Sequence, residues 1–556
     1  MLVLLVLMFT GLVARAAYLQ VYNQDFLLGE GSQRQLRTIE TPAYRGAILD
    51  RFGTPLAIST PVDSVWANPK LALQDLPGLK KVTKTLGLNF KDSLEKLKQR
   101  SNREFVYLKR RIRPELAVSA VKDVDGVYLQ REYERFYPEG EVASHLIGFT
   151  NIDNIGQEGL ERIYQDHLKA TTGKRKVLRN RKGQVVEDIA QVSAAHSGKD
   201  LFTSIDMRLQ YITYRSLASA IKHHKAKSGS AVLMDAETGE VLSIANLPSF
   251  NPNSHQSQKA SHRRNRAVTD VFEPGSVIKP FTLAAALDRN LFSKKSRINT
   301  APGYMKVTGF PIRDFRNYGE LDLAGILKKS SNVGASKIAM SMKAEHLWSA
   351  FTDYGFGEPT GASFPASSSG YFRHYMDWQP LDHATVAFGY GLSVTTLQLA
   401  RAYTLFANEG ALLPASLLKT NGDESAEKTK VMKSSTANLV LRMMEQVVGP
   451  QGTAQQAAIT GYRVAGKTGT IKKSAEGGYL DDSYTAVFAG VVPVSNPRLV
   501  MAVMVDEPTQ NGYYGGQVAA PVFQQVMSQA LRLMNISPDD LPAIRRVASA
   551  EKKGVL

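Results

Sequence analysis

The sequence predicts a multidomain α/β (α+β) protein: an N-terminal transmembrane helix, an elongated domain of mixed structure, and a C-terminal domain in which helices flank a five-stranded antiparallel sheet. Three observations support this prediction. A chain of 556 residues is too long for one ordinary domain. It opens with an apolar run, and from Ser228 onward strand-like and helix-like segments follow one another as in a single α/β unit.

The apolar run defines the first segment, residues 1–21. Met1–Ala14 is apolar except at two positions, and continuing past Arg15 gives the ~20 residues that a spanning helix needs, if the arginine snorkels to the interface. A cleaved signal peptide is the alternative, because the sequence around Arg15 resembles a signal-peptidase site. No basic region precedes the run, so we expect an uncleaved anchor that begins inside a longer segment.

The second segment, residues 22–206, is expected to be non-catalytic, and we call it the pedestal. Alternation around Thr41–Gly53 predicts strands, and Leu79–Val121 resembles an inserted helical piece. Arg131–Asn151 is expected to be extended, and Leu160–Leu168 has a helical pattern. We find no set of side chains with catalytic spacing there, so a spacer or platform is the favoured interpretation.

The third segment, residues 228–536, contains the predicted sheet with a long helical insertion after its second strand, and a loosely ordered basic tail is expected at 537–556. The predicted strands are Ser230–Asp235, Val241–Asn246, Arg463–Thr470, Ser483–Val492 and Arg498–Asp506. The predicted helices include Ser393–Asn408 and Val518–Met534.

Composition excludes several kinds of chemistry. The chain has no cysteine, which rules out a thiol nucleophile, a disulfide framework and cysteine metal sites. Its formal net charge is +17, but its basic runs lack interleaved aromatic residues and any nucleic-acid motif. Contact with an anionic membrane or wall surface is therefore favoured over binding to nucleic acid.

The stretch Val271–Pro280 has the parts of an activated serine. A Pro-Gly pair interrupts what precedes, so Ser276 is expected at a helix N-terminus with Lys279 on the same face. A hydroxyl, an amine within reach and backbone N–H groups that favour negative charge are what nucleophilic catalysis needs. The Ser-x-x-Lys pattern alone is weak, since it also begins at Ser93 and Ser425 in polar surroundings.

Two later motifs give the pattern its context. Ser330-Ser331-Asn332 follows the apolar helical segment Leu321–Leu327, and Lys467-Thr468-Gly469-Thr470 follows a strand-like run. The ordered set S-x-x-K, S-x-N and K-T-G is the signature of penicillin-binding proteins and serine β-lactamases.

With these motifs the chain resembles a class B penicillin-binding protein, and more narrowly the cell-division (septal) peptidoglycan D,D-transpeptidase of the penicillin-binding protein 3 type. The resemblance covers nearly the whole chain. It extends to Arg45–Gly53 and Arg135–Pro138 in the pedestal, and to Phe388–Thr395 and Tyr513–Phe523 further on. It implies a penicillin-binding transpeptidase fold behind a dimerisation-type pedestal.

The family implies attack on the D-Ala-D-Ala end of a stem peptide, a covalent acyl-enzyme, and transfer of the acyl group to an amine of a neighbouring stem. The expected partners are peptidoglycan stem peptides on lipid-linked or nascent strands, β-lactam antibiotics, the membrane, and division-complex proteins including a glycosyltransferase. The expected location is the bacterial inner membrane, with a single pass and the catalytic domain in the periplasm. No cofactor, metal ion or nucleic acid is expected.

The resemblance assigns Ser276 as the nucleophile and Lys279 as the base. Lys279 must be neutral to accept a proton, and crowding by Lys467 together with partial burial would lower its pKa. Ser330 would relay the proton to the leaving amine, with a helix N-cap as its structural alternative. Gly469 would let substrate lie close against its strand. The other expected site residues are Asn332 and Lys467 in the catalytic set and Thr468, Thr470, Tyr390 and Gly391 in the substrate cleft.

Three other functions fit part of the sequence. A serine β-lactamase would need a residue for rapid deacylation, and would need neither an anchor nor a pedestal. A bifunctional wall synthase would need a glycosyltransferase domain before Ser228, where we find no paired-carboxylate pattern. An inactive division scaffold is the third alternative, and the intact motif residues argue against it.

The pedestal carries a hypothesis of its own, that it activates the catalytic domain and binds division partners. Arg45 and Asp50 are spaced to bridge neighbouring strands, and Arg135 or Glu161 could complete a network at the junction with the catalytic domain. A purely structural role for these residues competes with that hypothesis.

Overall fold

The computed structural model describes residues 1–24, 36–179, 185–254, 259–362, 364, 366–420, 427–475 and 478–540. The helix Leu2–Ala17 continues in a π-helical turn, Tyr18–Tyr22, and none of its residues is buried. Together they span the 21 residues Leu2–Tyr22, of which an 18-residue window has a mean hydropathy of 2.1, so the helix is long and apolar enough to cross a membrane. Most of the predicted basic tail, residues 541–556, lies outside the described residues.

Two sheets build the pedestal. In the larger, Pro55–Ala67 pairs antiparallel with Ile48–Leu49, Val106–Ile112 and Val127–Phe136, and Ile48–Leu49 also pairs in parallel with Leu201–Phe202. The smaller is antiparallel, with the strand order Leu36–Thr41, Gly173–Arg179, Val185–Ser193. The pedestal helices are Pro69–Ala72, Leu76–Thr85, Phe90–Gln99, Pro114–Val121, Ser144–Ile147, Gly159–Ile163 and Gln165–Leu168.

Three predictions for the pedestal are wrong in part. The helical piece predicted at Leu79–Val121 contains the strand Val106–Ile112, which alternates buried and half-buried side chains over its first four residues. The extended structure predicted as far as Asn151 ends at Phe136. The helix predicted at Leu160–Leu168 is interrupted at Tyr164, which separates two short helices.

The second domain has the predicted sheet of five antiparallel strands. Their order is Val241–Leu247, Ser228–Asp235, Leu499–Asp506, Gly478–Val492 and Ala465–Ala475. Every residue of Ser228–Asp235 is buried, which requires cover on both faces of the sheet. We call the last strand in the order, Ala465–Ala475, the edge strand.

Two groups of helices cover this sheet. Met207–His223 packs with Ala520–Leu533 in one group, and Thr396–Ala407 packs with Ser434–Val448 and Lys279–Asp288 in the other. The remaining helices of the domain are Ala260–Arg263, Arg266–Thr269, Leu323–Lys329, Asn332–Met340, Ala344–Asp353, Pro380–Val386 and Gly515–Val518. Short strands pair as Arg297–Asn299 with Glu320–Asp322, Tyr304–Val307 with Phe310–Arg313, Tyr371–Phe372 with Leu392–Ser393, and Ala411–Leu412 with Thr429–Lys430.

The buried apolar side chains form two cores. The larger contains the sheet and helices of the second domain together with pedestal residues such as Ile48 and Leu160. The smaller lies wholly within the pedestal, around Val65 and Leu97. Part of the pedestal is therefore packed as one body with the domain that follows it.

A buried ion-pair network joins three charged side chains of the pedestal. The Glu161 carboxylate lies 2.6 Å from both Arg45 Nε and Arg135 Nε, and these side chains are 0–2% exposed. The predicted network of Arg45 with Arg135 and Glu161 is present, but Asp50 does not join it. Asp50 Oδ1 instead accepts hydrogen bonds from two backbone N–H groups of the tight turn that follows it.

Candidate active site

Ser276 lies in a 3₁₀ turn, Gly275–Ile278, that leads directly into the helix Lys279–Asp288. Gly275 begins the turn with a φ of 57°, a left-handed conformation that glycine adopts without strain. Its N–H donates to Gly389 O at 3.1 Å, which fixes the turn against a neighbouring loop. Ser276 is half-buried, and within the described part of the chain no residue hydrogen-bonds to its hydroxyl.

Lys279 is completely buried, and its amine points to the S-x-N segment rather than to Ser276. Lys279 Nζ donates to Ser330 O at 2.6 Å and to Asn332 Oδ1 at 2.8 Å, and it lies 3.2 Å from Ser330 Oγ. Burial lowers the pKa of Lys279 well below its ordinary value, repulsion from Lys467 lowers it further, and attraction to Asp314 opposes both. The lowered pKa of Lys279 agrees with the expectation that this amine is neutral when it accepts a proton.

Ser330 connects two helices and stands between two lysines. It ends the helix Leu323–Lys329 in a left-handed conformation with a φ of 56°. The N-cap considered for Ser330 belongs instead to Ser331, whose hydroxyl accepts from Gly334 N at 2.9 Å. Because its side chain does not cap a helix, the Ser330 hydroxyl is available to the two amines.

Lys467 supplies the second amine and is also completely buried. Its Nζ lies 3.0 Å from Ser330 Oγ and 3.0 Å from Thr468 O. Burial lowers the pKa of Lys467 to about 7. The K-T-G motif lies inside the edge strand, as the predicted strand Arg463–Thr470 implies, so the pairing of that strand with Gly478–Val492 sets the position of Lys467.

The rest of the K-T-G-T segment is held by its neighbours. Thr468 Oγ1 lies 2.8 Å from Thr453 Oγ1, and Thr470 Oγ1 accepts from Gly515 N at 2.9 Å. A Cβ on Gly469 would lie 2.9 Å from Pro274 O, so the glycine lets the edge strand approach the nucleophile turn. This close backbone approach was not among the reasons that the sequence suggested for a glycine there.

Tyr390 and Gly391 lie on the loop that contacts the nucleophile turn. The half-buried Tyr390 ring has edge contacts with Phe388 and Tyr479, at centroid distances of 5.5 and 5.6 Å. Gly391 N–H donates to Glu273 Oε1 at 3.0 Å. Neither residue touches the amine cluster, so the structure brings Lys279, Ser330, Asn332 and Lys467 together and leaves these two at its margin.

Asp314 is a site residue that the sequence did not indicate. Its carboxylate accepts from Ser331 Oγ and Asn332 N, each at 2.6 Å, and from Val333 N at 3.0 Å. Asn332 Nδ2 also donates to Arg313 O at 3.0 Å, which turns Asn332 Oδ1 toward Lys279. The hairpin that ends at Arg313 therefore positions the S-x-N segment, although nothing in the sequence marks this contact across 17 residues.

No group of three or more His, Asp or Glu side chains in the described residues could hold a metal ion. The chemistry that these residues support is acyl transfer: a half-buried serine hydroxyl lies three residues before Lys279, and the buried amines of Lys279 and Lys467, whose pKa values are lowered, both contact the Ser330 hydroxyl.

Two family models match the chain. The penicillin binding protein transpeptidase domain matches residues 229–528, and the penicillin-binding protein dimerisation domain matches residues 40–203. Together they cover the second domain and the pedestal.

Relatives match over nearly the full length of the chain. It is 42% identical over 539 residues to the peptidoglycan D,D-transpeptidase FtsI of Escherichia coli K12, covering 95% of this chain and 90% of that protein. It is 40% identical over 538 residues to the probable peptidoglycan D,D-transpeptidase PenA of Neisseria meningitidis, covering 96% and 91%. The apo transpeptidase domain of Burkholderia pseudomallei penicillin-binding protein 3 is similar in structure, with a TM-score of 0.57 and 43% identity, covering 61% of this chain and 98% of that one.

Proposed function

The chain belongs to the family of penicillin-binding proteins that place a transpeptidase domain behind a dimerisation domain, and from this we propose that Ser276 is the nucleophile of its acyl transfer. The protein is a peptidoglycan D,D-transpeptidase that cross-links stem peptides at the division septum through a serine acyl-enzyme and is acylated by β-lactams. It is membrane-anchored through its N-terminal helix. Each step of the acyl transfer can be given to particular residues of the site.

The first half-reaction forms the acyl-enzyme. Ser276 Oγ bonds to the carbonyl carbon of the penultimate D-Ala, and the amide bond to the terminal D-Ala breaks. Lys279 takes the proton from Ser276, the Ser330 hydroxyl delivers its own proton to the leaving amine, and Lys279, whose Nζ lies 3.2 Å from Ser330 Oγ, returns a proton to Ser330. Backbone N–H groups of Ser276 and Thr470 stabilise the oxyanion that forms between these steps.

One observation carries the assignment of Lys279 as the base. Ser330 O and Asn332 Oδ1 can only accept, so these two short contacts occupy two N–H groups of the Lys279 amine. The third direction of the amine faces Ser330 Oγ at 3.2 Å, and burial, which lowers the pKa of Lys279, favours the neutral form whose lone pair accepts a proton. Asn332 thereby orients the base, in addition to any contact with the substrate amide.

Lys467 has a different task, although it is also a buried lysine. Its position 3.0 Å from Ser330 Oγ allows it to polarise that hydroxyl when Ser330 passes on a proton. Its positive charge, with the Thr468 and Thr470 hydroxyls, would bind the terminal carboxylate of the stem peptide. Tyr390 and Gly391 form the wall of the same cleft.

The second half-reaction releases the enzyme. An amine of a neighbouring stem attacks the acyl carbon, the ester bond to Ser276 Oγ breaks, and Ser276 regains a proton. The same groups act in reverse, with Lys279 returning the proton to the serine.

Incubation of the full-length chain in detergent with a fluorescent penicillin tests this function. A transpeptidase stays labelled far longer than a β-lactamase takes to hydrolyse one penicillin, because a transpeptidase has no residue dedicated to deacylation. Rapid release of hydrolysed penicillin would instead identify a β-lactamase, and absence of any label would identify an inactive scaffold.

We also propose the division of the chain and its orientation. Residues 1–21 form the anchor, 22–206 the pedestal, 228–536 the transpeptidase domain and 537–556 a basic tail. The catalytic domain faces the periplasm, since its peptidoglycan substrate lies outside the inner membrane. Division-complex proteins, including a glycosyltransferase that supplies strands, are the partners that the pedestal is proposed to bind.

A further inference from the structure

Glu273 lies three residues before the nucleophile, and the proposed acyl-transfer steps do not use it. Its carboxylate joins two separate elements. Oε1 accepts from Gly391 N at 3.0 Å, and Oε2 accepts from the Tyr479 hydroxyl at 3.2 Å. The two partners are 88 residues apart in the chain, so Glu273 connects parts of the cleft that the sequence does not place together.

The two elements lie on either side of the nucleophile turn. Gly391 belongs to the loop with Tyr390, and Tyr479 pairs with Ser474 near the turn end of the hairpin that the edge strand forms with Gly478–Val492. The Tyr390 and Tyr479 rings are also in edge contact, at 5.6 Å. We call Glu273, Tyr390, Gly391 and Tyr479 the clasp.

The backbone under the clasp has no free space. A Cβ on Gly389 would lie 2.1 Å from Gly275 O, and a Cβ on Gly275 would lie 2.4 Å from Ile471 Cγ1. Phe272 and Val394 exchange backbone hydrogen bonds of 3.0 and 2.9 Å beside them. The loop, the nucleophile turn and the edge strand are therefore in direct contact, and a small shift of one must move the others.

The clasp depends on the charge of Glu273. Burial raises the pKa of the Glu273 carboxyl, while the bonds from Gly391 and Tyr479 act in the opposite direction and favour the ionised form. Hydrogen bonds to a carboxylate are roughly twice as strong as those between neutral groups. A neutral amide of the same shape would weaken both contacts without leaving a cavity.

We propose that Glu273 is a positioning residue for acylation. It holds the Tyr479 end of the hairpin and the Gly391 loop in place, and so keeps the cleft at the width that acylation needs before substrate arrives. The inference rests on the proposed role of Ser276. Without the clasp, the cleft has the width that acylation needs in only a fraction of the molecules. The apparent dissociation constant for the acyl donor then equals the intrinsic constant divided by that fraction. The chemical step in the bound complex keeps its rate, because Glu273 touches no reacting atom.

Stopped-flow acylation of the full-length chain in detergent by a fluorescent penicillin separates the apparent dissociation constant, Ks, from the acylation rate constant, k2. Glu273→Gln is expected to raise Ks roughly tenfold, the loss expected from weakening a hydrogen bond to a charged group. Tyr479→Phe removes one of the two bonds and is expected to raise Ks about threefold. In both variants k2 stays within about twofold of its value in the unaltered chain. The Ks of the double variant is no higher than that of Glu273→Gln, since both changes break the same contact.

Glu237→Gln is the matched control, because this carboxylate is 62% exposed in the turn between the first two strands of the sheet, and Ks and k2 should not change. If Glu273→Gln fails to fold, Tyr479→Phe alone decides, since it removes one oxygen from a half-exposed ring. Any of four results would overturn the proposal. Two concern single variants: an unchanged Ks, or a decrease confined to k2. The others are additive effects on Ks in the double variant, and a smaller labelled fraction at an unchanged Ks. Absence of labelling in the unaltered chain would instead overturn the role of Ser276.

Discussion

Two buried lysines that share one hydroxyl are the central feature at the scale of single residues. Lys279 and Lys467 are each fully buried, and Ser330 Oγ lies 3.2 and 3.0 Å from their amines. An ordinary lysine would be protonated and costly to bury at neutral pH, and the lowered pKa of each amine reduces that cost. The charge of Lys467 also lowers the pKa of Lys279.

Lys279→Arg tests whether this residue acts as a base. A guanidinium keeps the positive charge but does not lose its proton, so acylation by penicillin is expected to fall by about 100- to 10,000-fold. Lys337→Arg is the control, because the Lys337 amine contacts only the exposed carbonyl of Asn299 and should tolerate the change. Near-normal acylation of Lys279→Arg, measured as the second-order rate constant, would mean that only a fixed charge is needed.

Asp314→Asn tests the residue that the sequence did not indicate. The charge of Asp314 raises the pKa of Lys279, so its removal lowers that pKa further. Because the rate rises as Lys279 loses its proton, the acidic limb of the pH–rate profile should move to lower pH, while the maximal rate falls roughly tenfold as the S-x-N segment loses an anchor.

Asp322→Asn is the matched control for Asp314→Asn. Asp322 caps the helix that ends at Ser330 by accepting from Gly325 N at 2.7 Å. The acidic limb of the pH–rate profile of Asp322→Asn should therefore stay at the same pH as in the unaltered chain. An acidic limb that stays in place in Asp314→Asn would contradict the electrostatic coupling to Lys279.

At this scale the ordered motifs select candidate residues from many serines and lysines, and the structure brings four of them, Lys279, Ser330, Asn332 and Lys467, into contact. The contact of Asp314 and the left-handed turn at Ser330 could not be predicted, because each depends on how a distant hairpin packs against the motif rather than on local pattern.

At the scale of elements, the nucleophile turn, the loop beside it and the edge strand are held by close contacts between backbones. The sequence predicted all five strands of the sheet, but it missed the short hairpin Tyr304–Val307 with Phe310–Arg313. Each strand of that hairpin has only four residues and most of their side chains are not buried, and the hairpin matters because it leads directly to Asp314.

Gly389→Ala tests the contact between the loop and the nucleophile turn. The new Cβ would lie 2.1 Å from Gly275 O, at a residue whose φ is 90°, so the turn must shift and acylation is expected to fall by more than roughly a hundredfold. The measurement is the rate of labelling by fluorescent penicillin.

Gly309→Ala provides the matched control for Gly389→Ala. Gly309 has nearly the same φ, 89°, but its Cβ would meet no atom within 4 Å, so this variant carries backbone strain alone. Equal losses of acylation in the two variants would show that strain, and not the contact with Gly275, is responsible.

At the scale of the whole molecule, the pedestal and the catalytic domain share the larger of the two cores. The sequence predicted two domains from a change in character near residue 206, and it had no means to predict that apolar side chains from both would form one cluster. Tyr137 and Asn253 add two hydrogen bonds of 2.9 and 2.8 Å across the same junction.

Arg45→Ala tests what the pedestal network does. Removing one partner from a buried pair costs about 3–5 kcal/mol, so the melting temperature should fall. Because Leu160, next to Glu161, belongs to the shared core, penicillin labelling should be lost at the same temperature as the pedestal unfolds. Arg175→Ala is the control, since its pair with Asp188 is 43% and 57% exposed and contributes about 0–1 kcal/mol.

The same variant distinguishes the two roles considered for the pedestal. If Arg45→Ala keeps its melting temperature and its labelling while cells that depend on the protein fail to divide, the structural role is contradicted. The network would then transmit activation from division partners.

Covalent labelling of Ser276 is the most direct test of the whole account. The full-length chain and its Ser276→Ala variant are incubated with benzylpenicillin, and the adduct is located by intact mass and peptide mapping. We expect one adduct per chain on the peptide that contains Ser276, and none in the variant, whose fold should persist because a small side chain at a helix start costs at most ~1–2 kcal/mol. A stoichiometric adduct on Ser276→Ala, or one that maps to Ser330 in the unaltered chain, would contradict the account.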